Sequence, residues 1–157
     1  MNIAFFLKPK SEVAYLYDYY SARQGLEKMS YHGYSSIPVL DKDGKYLGTV
    51  SEGNFLWYIV RGENSEEAED YAVEIEKLED VKVSHIMKKG KNPPVKITAD
   101  MDKLLSRAIE QNYVPVVDDR DYFIGIITRK DIMKYLCEKK IKKGLNSMII
   151  CGIICIS

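Results

Sequence analysis

The chain is poor in cysteine and histidine and carries no net charge, and each scarcity excludes something. Its three cysteines, Cys137, Cys151 and Cys155, all lie near the C-terminal end of 157 residues. An odd, clustered set builds no disulfide framework and points to a reducing, cytoplasmic setting. His32 and His85 are far apart in sequence, and Cys151 and Cys155 form one i,i+4 pair without a second, so no metal site is expected. The 23 basic and 23 acidic residues cancel. That removes the cationic excess that drives phosphate-backbone binding, so nucleic acid is not an expected partner. No apolar run reaches the about 20 residues of a membrane-spanning helix. The N-terminus lacks the basic start and the length of a signal peptide. The apolar tail 148–157 has Ile154 where a prenylation box needs Cys; it reads as an extension of unknown role. No phosphate-binding glycine loop, dinucleotide fingerprint or His-Glu-x-x-His is present. With no nucleophile–base pair either, catalysis is not expected.

What is present is a soluble, globular composition, 46% hydrophobic and 29% charged. A chain of this size buries roughly 68–70% of its unfolded surface and needs no staple. Charge is segregated. Residues 61–80 hold nine acids against Arg61 and Lys77, and residues 128–143 hold seven bases against Asp131 and Glu138. Two solvated helix faces, paired with each other or with a second subunit, account for this. The only tryptophan, Trp57, is expected at a lobe or dimer interface. Tyr15, Tyr17, Tyr19 and Tyr20 crowd one segment. Tyr15 and Tyr17 fit a strand more simply than a stacking platform for bases.

The chain also repeats itself at an offset of 77 residues. Ile37-Pro38-Val39-Leu40-Asp41 matches Val114-Pro115-Val116-Val117-Asp118. Tyr46-Leu47-Gly48-Thr49-Val50-Ser51 matches Phe123-Ile124-Gly125-Ile126-Ile127-Thr128. Pro and Gly stand ten residues apart in both copies, and Asn54 falls on Asp131. Each unit reads as β-α-β-β-α: a β-prone run at 13–16 and 95–97, a helix near 22–30 and 102–111, a buried strand at 37–40 and 114–117. An Asp-rich turn, a second hairpin strand at 46–50 and 123–127, and a helix at 55–60 and 132–138 complete it. Duplicated units of this size pair and bury a shared face. The organisation expected is a first repeat at 1–60, an acidic helical linker at 61–80 with its helix over 65–78, a second repeat at 81–140 and a tail at 141–157.

These paired motifs resemble a tandem of cystathionine-β-synthase (CBS) domains, the arrangement called a Bateman module. The likeness covers about residues 3–140. Val83-Ser84-His85-Ile86-Met87 is similar to the lead-in of such a domain, and residues 4–8 stand as its first-copy counterpart. The resemblance implies an α+β fold of two β-α-β-β-α repeats packed sheet to sheet with pseudo-two-fold symmetry. It also implies a regulatory, non-catalytic role, frequent dimerisation, and two clefts that take adenosine ligands such as AMP, ADP, ATP or cyclic di-AMP.

The resemblance further assigns residues. In the stronger cleft, Asp131 would hold the ribose hydroxyls and Thr128 the ribose or phosphate. Arg129 would offer a fork to phosphate, with Lys130 beside it. Thr98, Ala99, Tyr113, Val114 and Pro115 would line the adenine pocket. In the weaker cleft stand Ser36, Ile37, Pro38, Ser51 and Asn54, with Asn54 uncharged and Glu52 in the place of Arg129. Ser/Thr-x-x-Asp is equally the pattern of a helix N-cap with an acid in the first turn, and the two roles are compatible at Thr128. A ligand-free scaffold in which these residues only cap helices is the other reading. With no effector domain in view, the output of a sensor would be a separate protein.

Overall fold

The computed structural model describes residues 2–61 and 75–142, with side chains as far as residue 139. Most of the acidic linker and the tail beyond 142 lie outside the described residues, including Cys151, Cys155 and the larger part of the helix expected over 65–78. What is described of that helix is a 3-10 segment, Ile75–Glu79.

Two 3-10 turns, Ile3–Phe6 and Lys10–Glu12, flank β1 (Lys8–Pro9). Then come β2 (Leu16–Tyr17), α1 (Ala22–His32), β3 (Ser36–Leu40), β4 (Tyr46–Ser51) and α2 (Glu52–Arg61). The second half holds α3 (Val83–Ile86), β5 (Lys88–Lys89), β6 (Val95–Lys96), α4 (Met101–Glu110), β7 (Tyr113–Val117), β8 (Phe123–Thr128) and α5 (Arg129–Lys142).

Local chemistry fixes these elements. A capping box opens α1: the Ser21 hydroxyl accepts from the Gln24 N–H, and the Gln24 side chain accepts from the Ser21 N–H. Gly33 closes it in the left-handed region, at φ 65°. Asp100 caps α4 through the Lys103 N–H at 2.8 Å. Each hairpin turns on an aspartate. Asp41 Oδ1 accepts from the N–H groups of Asp43 and Lys45, and Asp118 Oδ1 from those of Arg120 and Tyr122.

The strands form two four-stranded sheets, ordered β2-β3-β4-β5 and β1-β8-β7-β6. β2–β3 and β6–β7 are parallel, and β3–β4 and β7–β8 are antiparallel, with a register shift after Val39 and after Val116. The fourth strand of each sheet comes from the other half of the chain. β5 pairs with β4, and β1 pairs with β8. The lead-in segments are therefore exchanged. Ile3 and Phe6 complete the core of the second unit, and Val83, Ile86 and Met87 complete that of the first.

The motif glycines make this exchange possible. A Cβ on Gly125 would lie 2.1 Å from the Lys8 carbonyl oxygen; one on Gly48 would lie 2.8 Å from Met87 Cε and 3.2 Å from the Lys88 carbonyl oxygen. The glycine ten residues after each proline is thus a docking point for an incoming strand, not a turn residue.

Between the units, Val13, Leu40 and Phe123 form a small buried cluster with Tyr15, Tyr17, Tyr46 and Ile126 packed against it. The Thr49 and Tyr113 hydroxyls meet at 2.6 Å in the interior, and Tyr46 reaches Thr49 at 3.0 Å and the Asn92 carbonyl at 2.8 Å. The hairpin turns clasp reciprocally: Phe123 N–H donates to the Gly44 carbonyl and Tyr46 N–H to the Asp121 carbonyl. The architecture is α+β, two β-α-β-β-α repeats facing one another about a pseudo-two-fold axis.

Candidate functional site

The pleat decides which expected site residues face the space between the units. Side chains alternate along a strand. Ile37 and Val39 enter the first core, and Val114 and Val116 the second. Ser36, Pro38 and Tyr113 face the other way and line a cleft of about 360 Å³. The cleft draws on both units. Gly33, Tyr34 and Ser35 join Ser36 and Pro38 from the first, Asn112, Tyr113, Ile126 and Thr128 come from the second, and Lys8, Glu12 and Val13 close it from the N-terminal segment. Residues assigned by sequence to two separate clefts, Ser36 and Pro38 on one side and Tyr113 and Thr128 on the other, thus share one. Its volume lies within the range of small-molecule sites, and a junction between two units is a usual place for one.

At the edge of the cleft, β8 runs directly into α5. Thr128 Oγ1 donates to Asp131 Oδ2 at 2.5 Å and accepts from the Asp131 N–H at 3.2 Å. Thr128 therefore caps α5. Lys8 Nζ lies 3.3 Å from the same Asp131 oxygen. The Thr128 hydroxyl, with Lys8 behind it, holds the Asp131 carboxyl below the usual carboxylate range, against the opposing effect of partial burial. The carboxylate stays a charged acceptor at neutral pH. Asp131 lines an adjoining hollow of about 330 Å³ with Phe5, Phe6, Leu7, Lys8, Lys134, Tyr135 and Glu138. Lys8 lines both spaces.

The equivalent junction in the first unit is more enclosed. Asn54 is buried, and its Oδ1 accepts from the Ser51 N–H and hydroxyl, both at 2.9 Å. Ser51 and Asn54 thus close the start of α2 on themselves.

Other expected residues have different work. Arg129 turns away from the cleft: Nε donates to the Ala108 carbonyl at 2.7 Å and a terminal nitrogen to the Ile109 carbonyl at 3.1 Å. It caps the C-terminal end of α4, where a cation is favoured, so the phosphate fork expected of it is committed elsewhere. Lys130 is exposed on the first turn of α5, and Thr98 is exposed beyond β6. Ala99 packs on the second core, and Pro115 is buried on β7. Val114 and Ile37 are fully buried, so their side chains are not available to a ligand. Sequence reasoning missed Tyr34, Asn112 and Lys8. Asn112 immediately precedes β7 and Tyr34 stands two residues before β3, so both lay within reach of the repeat argument. Lys8 was not, because its place depends on a strand borrowed by the other unit.

Tyr113 and Tyr46 carry the network behind the cleft. Burial raises the pKa of both phenols far above the usual tyrosine value, so they remain neutral hydrogen-bonding groups. Among the described residues, no group of three or more His, Cys, Asp or Glu side chains could hold a metal ion. No described helix is long and apolar enough to cross a membrane.

Two copies of one α+β unit, exchanging edge strands around a shared cleft, define a tandem-repeat α+β module. The CBS domain model matches residues 7–61 and 83–138, and the chain belongs to the CBS-domain family. A hypothetical conserved protein from Geobacillus kaustophilus is 29% identical, with 88% of this chain and 98% of that one covered and a TM-score of 0.76. The CbpB protein of Listeria monocytogenes, solved in complex with c-di-AMP, is 26% identical, with 87% and 96% covered and a TM-score of 0.74. CBSX2, solved in complex with AMP, is 20% identical, with 88% and 98% covered and a TM-score of 0.68, a likeness of fold. No curated protein matches the chain.

Proposed function

We propose that this protein is a non-catalytic sensor that takes an adenine nucleotide between its CBS repeats and passes occupancy to a separate effector protein. The observation that carries this reading is the cleft itself. It is shared by both units and lined by Ser36, Thr128, Tyr34 and Tyr113, with the ionised Asp131 bonded to Thr128 from the adjoining hollow. An aromatic wall suits a base, and hydroxyls beside a carboxylate suit a ribose. Because both units contribute, an occupant favours one packing of the pair through its differential affinity. Within the class of AMP, ADP, ATP and cyclic di-AMP, the Listeria relative favours cyclic di-AMP. Leu56, Trp57 and Val60 are each about half exposed on α2, which supports pairing of two copies through that helix.

Thermal unfolding with AMP, ADP, ATP and cyclic di-AMP tests the reading. A ligand at 100 times its Kd adds about 2.7 kcal/mol. At about 2–4 °C per kcal/mol, that is a rise of roughly 5–11 °C, reduced in Asp131→Asn. No rise with any of them would replace the sensor with a scaffold whose Thr128 and Asp131 only cap α5.

A further inference from the structure

An anionic ligand in the cleft needs a cation, and the sequence's candidate is committed elsewhere: Arg129 caps α4 through the Ala108 and Ile109 carbonyls. Lys130 is exposed outside the cleft lining. The charged side chains among the described lining residues are Lys8 and Glu12. Lys8 is held there by backbone, not by chance of a long side chain. β1 pairs it with Ile126, and the missing Cβ of Gly125 leaves room for the Lys8 carbonyl. Its ammonium lies 3.3 Å from Asp131 Oδ2, with the side chain about half exposed. It stands at the boundary between the cleft and the adjoining hollow, lining both.

We propose that Lys8 is the phosphate-facing cation of the cleft, parked on Asp131 until a nucleotide arrives. The inference rests on the nucleotide reading above and adds specificity to it. When ribose hydroxyls take the Asp131 carboxylate, the ammonium gives up that partner and turns along its flexible stem to the phosphate. A three-donor point charge suits this swing better than a fixed fork. With one lysine and the Glu12 carboxylate in the same lining, the cleft matches one phosphate or a spread phosphodiester and disfavours a triphosphate. Adenosine, lacking phosphate, displaces the ion pair without compensation.

The test measures the affinities of adenosine, AMP, ATP and cyclic di-AMP for wild type, Lys8→Met and Lys8→Arg. Methionine keeps the stem and removes the charge; Lys8→Gln serves if that variant folds poorly. The expected result is that AMP binding falls roughly tenfold in Lys8→Met, as for loss of one partly exposed charge-assisted hydrogen bond. Adenosine binding stays level or improves, ATP binds wild type more weakly than AMP, and Lys8→Arg recovers most of the AMP affinity. AMP and adenosine falling together in Lys8→Met would make Lys8 structural and overturn the proposal while leaving the sensor intact. Equal affinities for wild type and Lys8→Met would overturn it as well. No binding of any of the four to wild type would overturn both readings.

Discussion

Gly125→Ala puts the exchanged-strand architecture at risk with a single methyl group. The new Cβ would stand 2.1 Å from the Lys8 carbonyl oxygen and 2.9 Å from Leu7 Cδ1. The first neighbour is backbone and cannot rotate aside. Gly125 also has φ at 156°, a conformation side chains rarely adopt. Overpacking of this kind costs about 1–3 kcal/mol when the surroundings yield. Here yielding means lifting β1 from β8, and each ladder hydrogen bond lost adds about 0.5–1.5 kcal/mol. An upper bound comes from letting the whole N-terminal segment peel away. That exposes Ile3 and Phe6, now 0% and 6% exposed, at about 1.5–3 kcal/mol each. The expected destabilisation is therefore about 3–5 kcal/mol. It is read by urea denaturation, or as a fall in Tm of roughly 6–20 °C at about 2–4 °C per kcal/mol. Gly48→Ala is the internal comparison. Its closest neighbour is the flexible end of Met87, at 2.8 Å, so it should cost distinctly less. A Gly125→Ala protein within about 0.5 kcal/mol of wild type, or one less affected than Gly48→Ala, would refute the docking role of the motif glycine.

Thr49→Val removes the hydroxyl shared by Tyr46 and Tyr113. Equilibrium unfolding should show a loss of about 1–3 kcal/mol, the cost of leaving the buried Tyr113 hydroxyl short of a partner, and an unchanged stability would refute that. Arg129→Ala should destabilise by about 1–2 kcal/mol through the uncapped end of α4 while nucleotide affinity holds; a selective loss of affinity would return the phosphate to Arg129. Because the folded-state pKa of Asp131 is depressed, its stabilising contribution is present above the unfolded value of about 3.9 and lost as pH falls through the folded value. The stability gap between wild type and Asp131→Asn should accordingly stay flat at neutral pH and close below about pH 4, on a scale under about 1 kcal/mol for so exposed a pair. A gap that persists at pH 2 would assign it to packing.

How much of this was legible in the sequence depends on whether the determinant is local. The apolar runs Ile37–Leu40 and Val114–Val117 and the turns at Asp41 and Asp118 act within a few residues, and they are read correctly as strands and hairpins. The 77-residue offset carries the pairing of two units, since a duplicated unit with one buried face needs its twin. The edge-strand exchange was not legible. β1 is two residues long, and its partner β8 is chosen by a gap above Gly125, a feature of the assembled sheet. Lys8 was missed for the same reason, and with it the counterion of Asp131. Arg129 has neighbours in sequence that form a ligand-like pattern, whereas its guanidinium answers the carbonyls of α4 packed beside it. Thr128 and Asp131 show why a cap and a binding motif share one spelling: both need an oxygen and an acid at a helix start, and here the cap is made.

Nucleotide binding in the cleft shared by the two repeats is tested most directly by an amide ¹H–¹⁵N chemical-shift titration of the full chain with cyclic di-AMP and, separately, AMP. The expected result is saturable perturbation clustered at Tyr34–Ser36, Asn112–Tyr113 and Ile126–Asp131, with Lys8 included and the α2 face of Leu56, Trp57 and Val60 unmoved by direct contact. No saturable perturbation with either nucleotide, or perturbation confined to surfaces away from the cleft, would contradict the claim.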